Sequence, residues 1–253
     1  MMRRLLLLTC AVMACDGSVT DPPAKPSLLD GAVTTCTPTT FERDGRPLTA
    51  AVIGTPAPIS RAIIDATGCD IGIYYGPGIT GSVDQSSIAG ASYFGVVNDG
   101  GAVDVTRSSV SNIGDRPFSG AQHGNAIFYT TEHVQNVPTG SASGTISGNS
   151  VSLYQKGGII VRGLNASASI VNNTVTGLGA IDFIAQNGIQ VSFGGSAVVR
   201  ENDVFDNNYT PPGTTSCGIL LFDAAGAKVQ QNTYEDDETN LCNFGKGGGN
   251  VSE

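Results

Sequence analysis

A two-part repeat restricts this chain more than any other feature of its sequence. The first part is a small residue followed by an apolar–x–apolar strand: Gly72-Ile73-Tyr74-Tyr75, Gly95-Val96-Val97-Asn98, Asn125-Ala126-Ile127-Phe128, Gly158-Ile159-Ile160-Val161, Gly188-Ile189-Gln190-Val191 and Gly218-Ile219-Leu220-Leu221. The second part is apolar-x-x-Asn/Ser-x-apolar. It occurs as Val83/Ser86/Ile88, Val105/Ser108/Val110, Ile146/Asn149/Val151, Ile170/Asn173/Val175, Val199/Asn202/Val204 and Val229/Asn232/Tyr234. The two parts alternate strictly, and no helix-length segment separates them, so the period-2 apolar pattern reads as short strands. One such unit cannot bury its own inner face, whereas stacked units can. Stacking places equivalent residues about 4.8 Å apart. A recurring Asn then has a use, because it tolerates left-handed geometry at a corner and its amide can bond along the column. Glycine before each strand would allow a sharp corner.

These segments resemble the right-handed parallel β-helix, or pectin-lyase-like, superfamily over about residues 60–240. DATGCDIGIYY, GAQHGNAIFY, YQKGGI and IAQNGIQVS are similar to exported bacterial β-helix proteins. The expected fold is all-β, a single right-handed solenoid of about six to eight coils over residues 30–242. Residues 30–68 lack the repeat, and the apolar stretch 49–65 is expected to cap the N-terminal edge, which would otherwise template aggregation. Residues 243–253 read as a disordered tail.

The chain begins with an export signal. Arg3 and Arg4 precede an apolar run from Leu5 to Ala14, too short to span a hydrocarbon core of ~30 Å. Val12-Met13-Ala14-Cys15 resembles a bacterial lipobox, which implies cleavage after residue 14 and acylation of Cys15. The alternative is an ordinary secretory signal. Residues 15–29 then form a polar, Pro-rich tether. The predicted location is the cell envelope, on a lipid anchor, or the secreted fraction.

Four cysteines remain, and in an exported chain two disulfides are expected. Three pairings exist. Cys36–Cys69 with Cys217–Cys242 is preferred, because each pair would close one end of the stack.

The net charge of −9, from 22 acidic and 13 basic residues, argues against a nucleic-acid partner. A monomer is expected. With only His123 and His133 and no Cys-x-x-Cys, no zinc site is expected. Calcium is the one ion that the carboxylates of Glu235-Asp236-Asp237-Glu238 would suit, although neighbouring acids alternate sides and a solvated turn is preferred.

Three insertions (112–122, 177–185 and 206–215) share one corner of the repeat, and one (130–142) lies at the other. Same-edge insertions are where function is commonly grafted on a repeat scaffold. The residue two before each first-part strand gives a column of Asp70, Tyr93, His123, Lys156, Gln186 and Ser216. Lys156, His123 and Asp182 are the candidate catalytic residues. Arg116, Asp115, Gln186 and Arg162 are candidates for holding substrate. The outward side chains of the first-part strands read as Tyr74, Val97, Ile127, Ile160, Gln190 and Leu220. This apolar stripe is expected either to lie under the insertions or residues 30–60, or to bind a ligand.

The resemblance implies an extracellular, acidic polysaccharide as partner. It leaves lyase, hydrolase and binding-only readings open, because the paired aspartates, calcium column and Asp-Pro-His-Glu motif of characterised relatives are not found. The alternative is a non-catalytic structural or adhesion module.

Overall fold

A computed structural model describes residues 35–138 and 140–245 of the protein. The export signal, Cys15, the tether and residues 246–253 lie outside the described residues. Every regular element among those described is a strand, and the strands form three sheets, one of eleven strands and two of seven. Both seven-stranded sheets are parallel throughout.

The chain visits the sheets in a fixed order. Arg46–Ile53 lies in the long sheet, Ile59–Ser60 in the second and Ile63–Asp65 in the third. The cycle then repeats until Thr239–Phe244 returns to the long sheet. Neighbouring strands are therefore one cycle apart in sequence, and their partners stand in register, as in Ile73↔Val96 and Ile159↔Ile189. The inward side chains Ile73, Val96, Ile127, Ile159, Ile189 and Ile219 meet Ile88, Val110, Val151, Val175 and Val204 in one continuous core.

The asparagines line up as expected. Asn149 Nδ2 donates to Asn173 Oδ1, Asn173 Nδ2 to Asn202 Oδ1, and Asn202 Nδ2 to Asn232 Oδ1, each at 2.9 Å. Each Oδ1 also accepts the backbone N–H of the residue in the preceding cycle. The left-handed residue at this corner is the one before the serine or asparagine: Gln85, Arg107, Gly148, Asn172, Glu201 and Gln231. Asparagine is needed here for its amide rather than for its tolerance of positive φ.

The glycines before the long-sheet strands also differ from expectation. Gly72, Gly95, Gly158 and Gly188 do not have positive φ. A Cβ on Gly158 would lie 2.5 Å from both the Gly188 carbonyl oxygen and Val175 Cγ1. These glycines serve close approach between the long and third sheets, not a sharp turn. Ala126 takes the same place in its strand, so Asn125 pairs with Gly157 rather than Gly158. The outward column therefore runs Tyr74, Val97, Phe128, Ile160, Gln190 and Leu220, and Ile127 points into the core.

The cycle also begins earlier than the sequence motif. Ile59, Ala62 and Ile64 occupy the places of Val83, Ser86 and Ile88, and the Ala62 N–H donates to Ser86 Oγ. The N-terminal edge is covered instead by Thr37–Arg43, antiparallel to Arg46–Ile53. Cys36–Cys69 ties this hairpin to the stack, and Cys217–Cys242 joins the last two strands of the long sheet. At the other end Thr239–Phe244 is paired with Cys217–Phe222, so order extends past residue 242 to Phe244.

Candidate functional site

The outer face of the long sheet carries more apolar surface than water tolerates uncovered. Thr37–Arg43 covers its first cycles, with Phe41 packed against Tyr74 and Phe94 at ring separations of 5.7 and 5.9 Å. Residues 131–138 leave the opposite corner, and their strand Glu132–Val134 pairs with Thr37–Arg43 through Glu42↔Val134. Beyond this cover a groove of about 310 Å³ opens on the same face. Phe94, Phe128, Ile160 and Gln190 form its floor. Arg43 and Asp44 close one end, Gln122 and His123 form one wall, and Glu132, Gln135 and Arg162 form the other.

The cations of this groove fall into two kinds. Arg162 is paired: its Nε donates to Glu132 at 3.0 Å and its Nη2 to Asn136 Oδ1 at 3.0 Å. Lys156 and Arg43 make no ion pair among the described residues. Lys156 Nζ donates only to the Ala185 carbonyl, at 2.6 Å, and burial lowers its pKa to about 8. The guanidinium of Arg43 lies 3.9 Å over the Phe41 ring, and its Nη1 donates to the carbonyls of Glu42 and His133. Its Nη2 is buried without a hydrogen-bond partner among the described residues, and burial lowers the pKa of the group to about 10 against the pull of Glu132 and Asp99. Unpartnered cations in a partly dry site are costly unless an anion completes them.

His123 is held from two sides. Its Nε2 meets Asp115 Oδ1 at 2.9 Å, and its ring stacks on Tyr93 with centroids 3.9 Å apart. Asp115 is fixed in turn by the Ser119 hydroxyl. Burial pushes the Asp115 carboxyl up, but hydrogen bonds from Ser119 and His123 bring it below its ordinary value. A carboxylate that holds an imidazole in this way sets its tautomer and ring orientation. A second imidazole–carboxylate contact, His133 Nδ1 to Asp99 Oδ2 at 2.5 Å, lies under the cover with the Tyr74 hydroxyl donating to the same oxygen.

Lys156, His123 and Arg162 thus line one groove, as does Gln190. His123 does not share a column with Lys156. Because of the shifted register Gly124 takes that place, with the Lys156 N–H donating to its carbonyl. Asp115 stands behind His123 rather than among the lining residues. Gln186 is fully buried, and its amide bonds the backbone of Tyr154, Gln155 and Leu178, so it holds the wall and cannot touch a ligand. Arg116 donates to the Asn112 carbonyl on the exposed surface, and Asp182 is exposed; neither lines the groove.

Arg43, Asp44, Glu132 and Gln135 are functional candidates that carry no repeat signal, since they come from the segments outside the motif. Phe128 was hidden by the one-residue shift. A larger, shallower hollow of about 640 Å³ lies over the second sheet, lined by Ser167, Ser169, Ser196, Gly226 and Lys228 among others. Its side chains are small and it has one charged group, so the groove is the better candidate.

Among the described residues no group of three or more His, Cys, Asp or Glu is placed to hold a metal ion. In the acidic run, Asp237 accepts from Asn207 and Glu238 from the Ser216 N–H, so the two carboxylates serve different corners of the fold.

No protein-family model, curated protein or solved structure matches the chain.

Proposed function

We propose that the three sheets wind as a right-handed parallel β-helix, pectin-lyase-like in form. The protein is exported and anchored through lipid on Cys15, and its groove binds an acidic extracellular polysaccharide. One observation carries the ligand class: buried Arg43 and half-buried Lys156, neither with a carboxylate partner among the described residues, line the same groove over an apolar floor. Sugar rings have apolar faces that suit Phe94, Phe128 and Ile160, and a uronate carboxylate suits the free cations. The groove also holds the neutral amides of Gln122, Asn125, Gln135 and Gln190 as partners for hydroxyl groups, beside the carboxylates of Glu132, which is paired with Arg162, and Asp44. Two disulfides fit an oxidising compartment outside the cytosol.

A catalytic reading is favoured by the low pKa of Lys156 and by the Asp115–His123 pair. In β-elimination the neutral Lys156 amine removes the proton from the carbon that bears the carboxylate. The bond from the neighbouring carbon to the glycosidic oxygen breaks, its electron pair leaves with that oxygen, and His123, as the general acid, supplies the proton. A carbon–carbon double bond remains in the product, and no oxidant or metal is required. Arg43 would hold the carboxylate during the step.

The test measures binding of uronate oligosaccharides by calorimetry and, on the same polymers, the ultraviolet absorbance of an unsaturated product. Binding that is lost in Lys156→Ala supports the site. Binding without absorbance makes the protein a surface binding module. Absence of binding to every acidic polymer refutes the reading.

A further inference from the structure

The groove does not end the apolar surface of its face. The long-sheet column that holds Arg162 continues through Ser192 to Phe222 and Phe244, in strict register. Phe222 and Phe244 are 41% and 49% exposed, too open to serve the core. Phe193, 39% exposed, packs against Phe222 at a ring separation of 5.3 Å. Arg162 joins the two regions: it lines the groove, and its guanidinium lies 3.9 Å over the Phe193 ring. From Phe94 to Phe244 the face spans five strand spacings, roughly 24 Å. That is the length of a chain of several sugars, not of one.

The two regions differ in charge. Arg43 and Lys156, the cations without an ion pair among the described groove residues, lie in the groove. Among the described residues the aromatic extension has only Arg162, already paired with Glu132, and Asp223 follows directly on Phe222. A carboxylate carried over Phe222 would gain no unpaired cation there among the described residues and would lie near the acidic Asp223. The flat face of an uncharged sugar would lose nothing there and would cover the rings.

Building on the groove as an acidic-sugar site, we propose that the ligand is a heteropolysaccharide. One acidic sugar sits over Arg43 and Lys156, and uncharged sugars of the same chain lie along Phe222 and Phe244, beside the Arg162–Phe193 stack. The extension selects chain length and composition, while the groove selects the charge.

The experiment titrates the full protein with alternating uronate–hexosamine oligosaccharides of increasing length, and with all-uronate oligosaccharides of matching length. The wild type should bind longer alternating chains more tightly until they span the face, and should prefer them to all-uronate chains of equal length. Phe222→Ala/Phe244→Ala removes two side chains that lie outside the core. It should weaken binding of the long alternating chain by about tenfold and leave the shortest bound chain unchanged. Equal affinity at all lengths, equal loss at all lengths, or preference for the all-uronate chain would overturn the extension while leaving the groove standing. If no acidic oligosaccharide of any length binds, the groove reading fails and the extension with it.

Discussion

Asp237 stands where the fold calls for an amide. Its Oδ1 accepts the Asn207 backbone N–H at 2.8 Å and Asn207 Nδ2 at 2.9 Å, the geometry each asparagine makes with the next in the column at the other corner. Its Oδ2 is buried and has no partner among the described residues. Burial raises its pKa from 3.8 to about 6; the bonds from Asn207 oppose the shift and the charges of Asp206 and Asp236 add to it. The folded protein therefore holds a proton on Asp237 that the unfolded chain has already released between pH ~4 and ~6. Stability falls as pH rises through that window and is level above it. A shift of about two pKa units corresponds to ~3 kcal/mol at neutral pH. Asp237→Asn removes this cost. It keeps the acceptor and adds a donor in place of Oδ2, able to reach the carbonyl two residues back as Asn207 reaches Phe205. The variant should be more stable by about 2–3 kcal/mol at pH 7, which raises Tm by roughly 5–10 °C for a chain of this size. At pH 4 the gain should disappear. Thermal unfolding followed by circular dichroism from pH 4 to pH 8 measures both. A Tm at pH 7 that stays the same or falls, or an equal gain at pH 4, would refute the account of this carboxyl.

Three further outcomes are expected. Asn173→Ala removes the acceptor of the Asn149 N–H and the donor to the Ile146 carbonyl, both buried, and should cost about 3–4 kcal/mol in urea unfolding; a change under ~1 kcal/mol would show that the column is ornamental. Gly158→Ala should cost about 2–4 kcal/mol, because its Cβ would meet a backbone oxygen that cannot move aside, whereas Gly213→Ala, with nothing within 4 Å, should cost only the strain of positive φ, about 1 kcal/mol; equal costs would remove the close-approach argument. Cys15→Ala should move the protein from the membrane to the soluble exported fraction, and unchanged fractionation with no lipid on the mature N-terminus would exclude the lipid anchor.

The repeat was readable because a buried face imposes alternation, and because a column of amides needs the same residue at the same place in each cycle. It failed where a substitute does the same physical work. Ala126 stands in for a glycine and shifted the apparent register of its strand by one residue, which exchanged Ile127 for Phe128 and placed His123 in the wrong column. Ala62 stands in for the corner asparagine and hid the first cycle. The groove was half legible. Lys156 and Arg162 belong to the repeat, His123 lies one residue before it, and all three line the groove. Arg43, Asp44 and Glu132 reach the site through a cover strand and a loop, and no periodicity announces which face such segments will cross. Gln186 was misread because its column faces the groove at Lys156 but turns under the insertion one cycle later, where its amide satisfies backbone groups.

The most direct test of the acidic-glycan groove is the affinity for one bound uronate oligosaccharide, measured by calorimetry for wild type and Lys156→Ala from pH 6 to pH 9.5. With burial holding Lys156 near pH 8, the ammonium is charged at pH 6–7 and lost above pH 8. The wild type should bind about tenfold or more tightly at pH 6.5 than at pH 9.5, and the variant should bind weakly with little dependence on pH over the same range. A wild-type affinity that does not change across pH 8, or a variant that binds as the wild type does, would contradict the account.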